Sequence, residues 1–167
     1  YTHYGVKTLF GNAIYSKYPI LDQKTTYVHG KYAAHRSVDS DPGTNTRNLQ
    51  IVVIDTPQGE LTVANHHGYH TLNHLGDDVS VETMRKVATE LSSIDSPLIF
   101  AGDLNTSYES DAIKVFDSSG LKNLTKDSSV KTTLSQLSSV PVDVPCDYIF
   151  ISKDVQVIDF HVSERIV

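Results

Sequence analysis

The sequence contains the stretch Pro97-Leu98-Ile99-Phe100-Ala101-Gly102-Asp103-Leu104-Asn105, in which an apolar run gives way to a glycine and two polar residues. Residues 98–101 have the length and composition of a strand buried on both faces. We predict that the strand ends at Gly102, where the backbone can turn sharply. Asp103 and Asn105 then project from the same side of an extended chain and can aim at one point. A carboxylate beside a carboxamide suits a hard cation, a water molecule or a phosphate, although these residue types also make ordinary strand-end turns.

The length and composition are those of a single globular domain spanning residues 1–167. The chain has 167 residues, of which 39% are hydrophobic and 20% charged, and a chain of this length can bury a real core. No apolar run approaches the length of a membrane span and no signal-peptide pattern is present, so we expect a soluble protein, cytoplasmic or secreted. Cys146 is the only cysteine, which excludes an intramolecular disulfide. With no activating cation beside it in the sequence, Cys146 is predicted to be buried and inert.

The charge balance limits the partners that the chain can have. Its 14 Lys and Arg residues stand against 20 Asp and Glu residues, which gives a formal net charge of −6. Proteins that bind nucleic acid normally carry a basic surface, so tight and nonspecific binding of duplex by this chain is disfavoured. An acidic site that acts on phosphates has to recruit metal cations to offset the repulsion.

The predicted elements alternate between an antiparallel meander and segments of helix. A hairpin turn is predicted at residues 57–60, between two apolar runs, with no helix inside the meander. Apolar residues recur at helical spacing over residues 81–94, and Asp77 and Asp78 lie near the positive end of that helix. A second helix is predicted over residues 108–118, with Gly120 as its stop. The remaining predictions are strands at residues 8–16, 25–34, 49–55, 61–65, 147–152 and 155–162, a loop at 39–45 and an irregular stretch at 121–142.

Polar residues at three predicted strand ends suit a single rim of the sheet, where sites are often built. They are His67 after one strand, Asp103 and Asn105 after the next, and Asp147 at the start of another. In this order the sequence resembles the endonuclease/exonuclease/phosphatase superfamily, with the deoxyribonuclease I-like fold. Four segments carry the resemblance: Gly-Asn-Ala-Ile-Tyr-Ser-Lys-Tyr-Pro-Ile at 11–20, Leu-Thr-Val-Ala-Asn-His-His at 61–67, Ile-Phe-Ala-Gly-Asp-Leu-Asn at 99–105 and Cys-Asp-Tyr-Ile-Phe-Ile-Ser at 146–152. It implies a four-layer α/β/β/α sandwich, incomplete at both ends.

The resemblance also implies hydrolysis of phosphate esters with a divalent cation, Mg²⁺ or Mn²⁺, by a phosphodiesterase or nuclease. His67 would contact the scissile phosphate, and Asp103 would orient or deprotonate the attacking water beside the metal. Asn105 would hold a phosphate oxygen or act as a metal ligand, and Asp147 would orient a second, C-terminal histidine. Asn12 is a further candidate for substrate binding, with a capping or turn role as the alternative. The implied substrate is a nucleic acid, a phospholipid or a nucleotide.

Two parts of the family pattern have no counterpart in residues 1–167. The pattern has an Asn and a metal-binding Glu before the segment at 11–20, and Ser-Asp-His after the strand that matches 155–162. We therefore expect the chain to be the interior of a larger domain. A catalytically inactive fragment or relative that serves as a binding module remains an alternative to a phosphoesterase.

A second alternative is a protein that binds a transition metal through histidines. His66, His70 and His74 are spaced four apart, which would align them on a helix. Gly68 and Gly76 argue against a continuous helix there, so these histidines are predicted to lie on the surface or at the rim of the site.

Overall fold

The structure is a computed structural model that describes residues 2–3, 6–7, 11–31, 46–71, 74–128, 130–134 and 144–162. Within these residues, six strands form one sheet, and two short strands near the start of the chain form a separate pair. The strands are β1 Thr2–His3, β2 Val6–Lys7, β3 Ile20–His29, β4 Arg47–Thr56, β5 Gly59–His66, β6 Leu98–Asp103, β7 Lys122–Asn123 and β8 Asp147–Ile151. The helices are α1 Asp78–Ser92, α2 Asp111–Lys114 and α3 Leu124–Asp127, with a 3-10 turn at Val115–Ser118.

The predicted meander is present as β3, β4 and β5, each antiparallel to the next. The β4–β5 hairpin closes where Thr56 pairs with Gly59, whose φ of 110° places it in a region that favours glycine. That tight turn fixes which residues of the two strands lie opposite each other. Leu49 pairs with His66 at the far end of the hairpin.

β6 lies inside the sheet, parallel to β5 and antiparallel to β8. Leu98 and Phe100 are buried, whereas Ile99 and Ala101 on the opposite face are only half-buried. The prediction of a strand buried on both faces is therefore wrong for the second face among the described residues. The strand order across the sheet is β3-β4-β5-β6-β8-β7.

The core lies between one face of the sheet and the helices α1 and α2. α1 begins at its cap Asp77 and buries Met84, Val87 and Leu91 against that face. Phe100 and Phe150, which are cross-strand partners, stack with ring centroids 5.6 Å apart. Because aromatic pairs of this kind bury large apolar areas, they contribute much of the packing energy of the core.

Several predicted boundaries differ from the structure. Residues 11–16 and 155–162 form no strand, and the strand predicted at 25–34 is β3, which begins earlier and ends at His29. The helix predicted at 108–118 begins at Asp111. Residues 11–16 instead lie beside the ends of β4 and β5, where the Asn65 side chain donates to the Ala13 carbonyl oxygen at 3.3 Å. The loop predicted at 39–45 lies outside the described residues.

The predicted mixed α/β class is confirmed. Helices α1 and α2 pack on the face of the sheet that carries Phe100 and Phe150, and the alternation of side chains along a strand puts Asp103 and Asp147 on the opposite face. No helix in the described part of the chain is long and apolar enough to cross a membrane.

Candidate functional site

Four polar residues form one row across the neighbouring strands β4, β5, β6 and β8: Asn48, His67, Asp103 and Asp147. Asp103 on β6 is the direct partner of Asp147 on β8. The β5–β6 register pairs Asn65 with Ala101, so its continuation places His67 beside Asp103. The β4–β5 register in turn continues to Asn48 opposite His67. Since adjacent strands lie about 4.8 Å apart, neighbouring members of the row are within reach of one small ligand.

Two glycines allow the ends of β5 and β6 to approach closely. A Cβ atom on Gly102 would overlap the carbonyl oxygen of His66, and one on Gly68 would overlap that of Leu104. The Gly68 N–H donates to the carbonyl oxygen of Asp103 at 2.8 Å. Because only glycine fits at these two positions, they bring His67 and Asp103 together.

His67 and Asp103 face each other at the centre of the row. His67 Nε2 lies 3.8 Å from Asp103 Oδ2, and their side chains are 32% and 40% exposed. Burial lowers the pKa of His67, the positive charge of Arg47 lowers it further, and the negative charge of Asp103 opposes both. A neutral imidazole at this position can accept a proton or donate a hydrogen bond.

Asp103 and Asn105 are linked by a tight turn rather than by extended backbone. Asp103 Oδ1 accepts the Asn105 N–H at 2.9 Å, and Asn105 has a left-handed φ of 55°. The prediction that both side chains project from one side of an extended chain is therefore wrong. Asn105 is buried, and its Nδ2 donates to the carbonyl oxygen of Gly68 at 3.1 Å. Its side chain therefore links the turn after β6 to the segment after β5.

Asp147 adds a second carboxylate beside Asp103. Partial removal from water raises the pKa of Asp147, the neighbouring charge of Asp103 adds to this, and a hydrogen bond with Thr133 opposes it. Asp147 is nevertheless an exposed residue at the start of β8. Two adjacent carboxylates whose charges repel suit a cation.

The histidines predicted at the surface or rim are divided between the surface and the interior. His70 is exposed, but His66 and His74 are buried. His74 Nδ1 lies 3.3 Å from the Asn105 carbonyl oxygen and 3.5 Å from Cys146 Sγ. The prediction of surface or rim histidines is therefore wrong for His66 and His74.

The structure does not assemble the histidine-based metal site. The described residues contain no group of three or more His, Cys, Asp or Glu side chains that could hold a metal ion. Cys146 is buried as predicted, and burial together with the charges of Asp103 and Asp147 raises the pKa of its thiol to about 11.

Two residues of the site were missed in the sequence analysis, Arg47 and Asn48. Arg47 is buried at the start of β4, and its charge lowers the pKa of His66, His67 and His70. A signal for both existed in the sequence. Counting outward from the predicted hairpin turn places residues 47 and 48 beside the histidine pair at the end of β5.

Asn12 lies at the β4 end of the row. Its Nδ2 donates to Asn48 Oδ1 at 3.0 Å and to the Asn48 carbonyl oxygen at 3.2 Å. The structure thus places Asn12 beside one end of the row that contains His67, Asp103 and Asp147, and Asn105 in the turn next to Asp103.

The fold and the row define a class of mixed α/β protein with an imidazole, two carboxylates and several amides on one face of a sheet. The chain belongs to the Endonuclease/Exonuclease/phosphatase family, whose sequence model matches residues 1–166. This confirms the resemblance that the four motif segments at 11–20, 61–67, 99–105 and 146–152 indicate. No curated protein sequence matches the chain.

Solved structures share the fold at low sequence identity. The mannosyl-6-phosphatase of Bacteroides thetaiotaomicron is 18% identical with a TM-score of 0.63, over 83% of this chain and 54% of its own. The human Nocturnin catalytic domain with bound sulfate is 16% identical with a TM-score of 0.58, over 81% and 48%. TDP2 of D. rerio, complexed with a single-stranded DNA product, is 17% identical with a TM-score of 0.57, over 82% and 55%.

These structures confirm the predicted deoxyribonuclease I-like fold. The present chain spans about half the length of each of them. At such identities the likeness concerns the fold alone, and the chemistry has to be argued from the site.

Proposed function

We propose that the protein is a phosphoesterase that depends on a divalent cation, Mg²⁺ or Mn²⁺, and acts as a phosphodiesterase or nuclease. The observation that carries the proposal is the change of charge along the row. Asn48 and His67 carry hydrogen-bond donors over β4 and β5, and the charge of the buried Arg47, at the start of β4, is close enough to lower the pKa of His67. Asp103 and Asp147 supply two carboxylates over β6 and β8. A phosphate ester and its attacking water need these two environments side by side.

The phosphate is held at the β4–β5 side in this proposal. Arg47 carries a permanent charge and lies close enough to lower the pKa of His67. The neutral His67 ring donates to a phosphate oxygen, and this contact strengthens as negative charge accumulates on the phosphoryl group in the transition state.

Asp103 acts on the water. Its Oδ1 is held by the Asn105 N–H, which leaves Oδ2 directed toward His67. The carboxylate orients a water molecule and takes a proton from it as the new phosphorus–oxygen bond forms. The bond to the leaving alkoxide breaks in the same displacement, and the alkoxide acquires a proton from solvent. Asn105 keeps the loop that carries Asp103 in place.

The residues present fit a magnesium-type cation. Asp103 and Asp147 are adjacent carboxylates, and the Asn105 amide oxygen is a third oxygen in the same loop system. Mg²⁺ often binds through one or two carboxylates and keeps several waters, so it does not need a larger cage of protein ligands. Such a cation supplies charge neutralisation for the phosphate. The principal Glu ligand of the family pattern has no counterpart in residues 1–167.

The proposal includes three candidate classes of substrate. Among the structural neighbours, one is named a mannosyl-6-phosphatase and another is a complex with a DNA product. The candidates for this chain are a nucleic acid, a phospholipid or a nucleotide.

The proposal is tested by His67→Ala and Asp103→Ala in the full-length protein. Each should lower Mg²⁺-dependent phosphodiester cleavage by about 10²–10⁴-fold, because each removes a group that acts in the transition state. A matched control is the exposed pair His161 and Asp159, whose Nδ1 and Oδ2 atoms lie 3.5 Å apart. His161→Ala and Asp159→Ala should retain full activity.

Unchanged cleavage in both site variants would show that the site is assigned wrongly. A wild-type protein that binds Mg²⁺ and phosphate but cleaves no ester would instead favour the alternative of a binding module.

A further inference from the structure

The side chain of Asn48 offers a hydrogen-bond donor that the proposed mechanism does not yet use. We infer that Asn48 Nδ2 binds a non-bridging oxygen of the substrate phosphate, and that Asn12 is a positioning residue that sets the direction of this amide. The inference rests on the proposed function, since it assigns a ligand contact in the same site.

The backbone of Asn48 is held from two sides. Its carbonyl oxygen accepts from His66 Nδ1 at 2.8 Å and from Asn12 Nδ2 at 3.2 Å. His66 is fully buried, and burial lowers its pKa to about 4, so its ring is neutral near pH 7. A neutral ring nitrogen that faces a carbonyl oxygen must carry the proton, which makes Nδ1 the donor. Asn48 therefore has little freedom to move away from the row.

The contact with Asn12 also fixes which way the Asn48 amide points. A carbonyl oxygen only accepts, so the Asn12 atom beside the Asn48 carbonyl has to be nitrogen. The same nitrogen lies 3.0 Å from the Asn48 side chain, so the Asn48 atom there has to be Oδ1. Nδ2 of Asn48 must then point away from Asn12. No residue in the described ranges accepts a hydrogen bond from it.

The other asparagines at this end of the sheet have their amide nitrogens engaged by the protein. Nδ2 of Asn12 donates to Asn48, that of Asn65 to the Ala13 carbonyl oxygen, and that of Asn105 to the Gly68 carbonyl oxygen. Among these four amides, Asn48 is the one whose donor is available to a ligand. It is half-buried and lies opposite His67 in the hairpin register.

The pairing with His67 determines what Asn48 can bind. A phosphate held by His67 presents its other oxygens toward the neighbouring strand β4. A fixed amide N–H that meets an anionic oxygen forms a charge-assisted hydrogen bond, and its fixed direction lowers the entropic cost of binding. Because that oxygen is anionic in both substrate and product, the contact acts mainly on binding rather than on turnover.

The test uses Asn48→Asp and Asn48→Ala in the full-length protein. The Asp variant keeps an oxygen facing Asn12 but replaces the donor with a negative charge. Its KM for a phosphate ester and its dissociation constant for inorganic phosphate should each rise about tenfold or more, with kcat within about threefold. Asn48→Ala should shift both constants in the same direction and serves if the Asp variant does not fold.

The matched control is Gln58→Glu. It makes the same change from amide to carboxylate at an exposed position in the turn of the same hairpin. Its KM and phosphate affinity should equal those of the wild type.

Asn12→Ala tests the positioning role. It should weaken phosphate binding less than Asn48→Ala does. The double variant should bind no more weakly than Asn48→Ala alone, because Asn12 acts through Asn48. A purely structural role would change thermal stability and leave phosphate affinity unaltered.

The inference is overturned if Asn48→Asp and Asn48→Ala bind inorganic phosphate as tightly as Gln58→Glu. That result, together with lost cleavage in His67→Ala, would leave the proposed function intact. Weakened phosphate binding in the Asn48 variants, with cleavage retained in His67→Ala and Asp103→Ala, would support Asn48 as a phosphate ligand and refute the proposed catalytic assignment.

Discussion

Because His66 is buried and titrates at a different pH in the folded and unfolded chain, it makes the stability of the protein depend on pH. It is fully buried, and burial lowers its pKa from 6.5 to about 4. Between these two values the unfolded chain binds a proton on His66 that the folded protein does not bind. The free energy of unfolding therefore increases with pH across this range. The stability that depends on a neutral His66 is fully present above about pH 6.5 and is lost as the pH falls toward 4.

We expect His66 alone to lower the free energy of unfolding by about 3 kcal/mol when the pH falls from 6.5 to 4. Urea unfolding at several pH values measures this slope. His66→Asn removes the titrating group and keeps a donor for the Asn48 carbonyl oxygen, so its slope should be shallower. His161→Asn, at a histidine whose side chain is 81% exposed, is the control and should follow the wild type. Equal slopes in all three proteins would contradict the prediction.

Part of the site could be predicted residue by residue from the sequence. His67, Asp103 and Asp147 each stand at the end of a recognisable strand, and strand ends meet at one edge of a sheet. The direction of Asn105 could not be predicted, because its left-handed φ of 55° depends on the turn closed by Asp103. The position of Arg47 can be predicted only from the register of the whole β4–β5 hairpin, which local motifs do not give.

Helices and strands show the same difference between features set by local sequence and features that depend on distant parts of the chain. The hairpin and α1 were predicted because their turn and their helical periodicity are local signals. The strand predicted at 155–162 is absent, because alternation in the sequence does not provide a neighbouring strand with which to pair. In the described structure the outer edge of β8 pairs with β7, and residues 152–162 remain mostly exposed. Residues 11–16 likewise bond to side chains on β4 and β5 instead of joining a sheet.

The start of α1 provides a test of one such local signal. Asp77 Oδ1 accepts from the Ser80 N–H at 2.8 Å and from the Ser80 hydroxyl at 2.9 Å, and Ser80 is buried. Asp77→Ala should therefore lower the free energy of unfolding by about 1–2 kcal/mol. Chemical denaturation measures the change.

Asp78→Ala distinguishes the stabilisation by the capping hydrogen bonds of Asp77 from the stabilisation by a negative charge at the start of α1. Asp78 is exposed in the first turn of α1, so its removal should cost only about 0.3–1 kcal/mol through the helix dipole. Asp77→Asn keeps an accepting oxygen and should cost less than Asp77→Ala. Equal losses in the two alanine variants would mean that the hydrogen bonds of Asp77 add nothing to its charge.

Considered as a whole, the molecule combines a small polar site with an acidic surface. The formal net charge is −6, with 14 basic against 20 acidic residues. In the part of the site that the structure describes, the permanent positive charge comes from Arg47 at the start of β4, and one such residue does not make a track for a polyanion. A nuclease that binds duplex through many phosphates needs such a track.

This charge distribution predicts how ionic strength affects different substrates. For an oligonucleotide, KM should stay level or fall as NaCl is raised at constant excess Mg²⁺, because salt screens the repulsion between two negatively charged partners. For a small phosphate ester with one phosphate group, KM should change by less than about threefold over the same range. Parallel measurement of kcat separates binding from effects of salt on the reaction itself. A KM for the oligonucleotide that rises steeply with salt is the behaviour of a basic binding surface and would contradict the prediction.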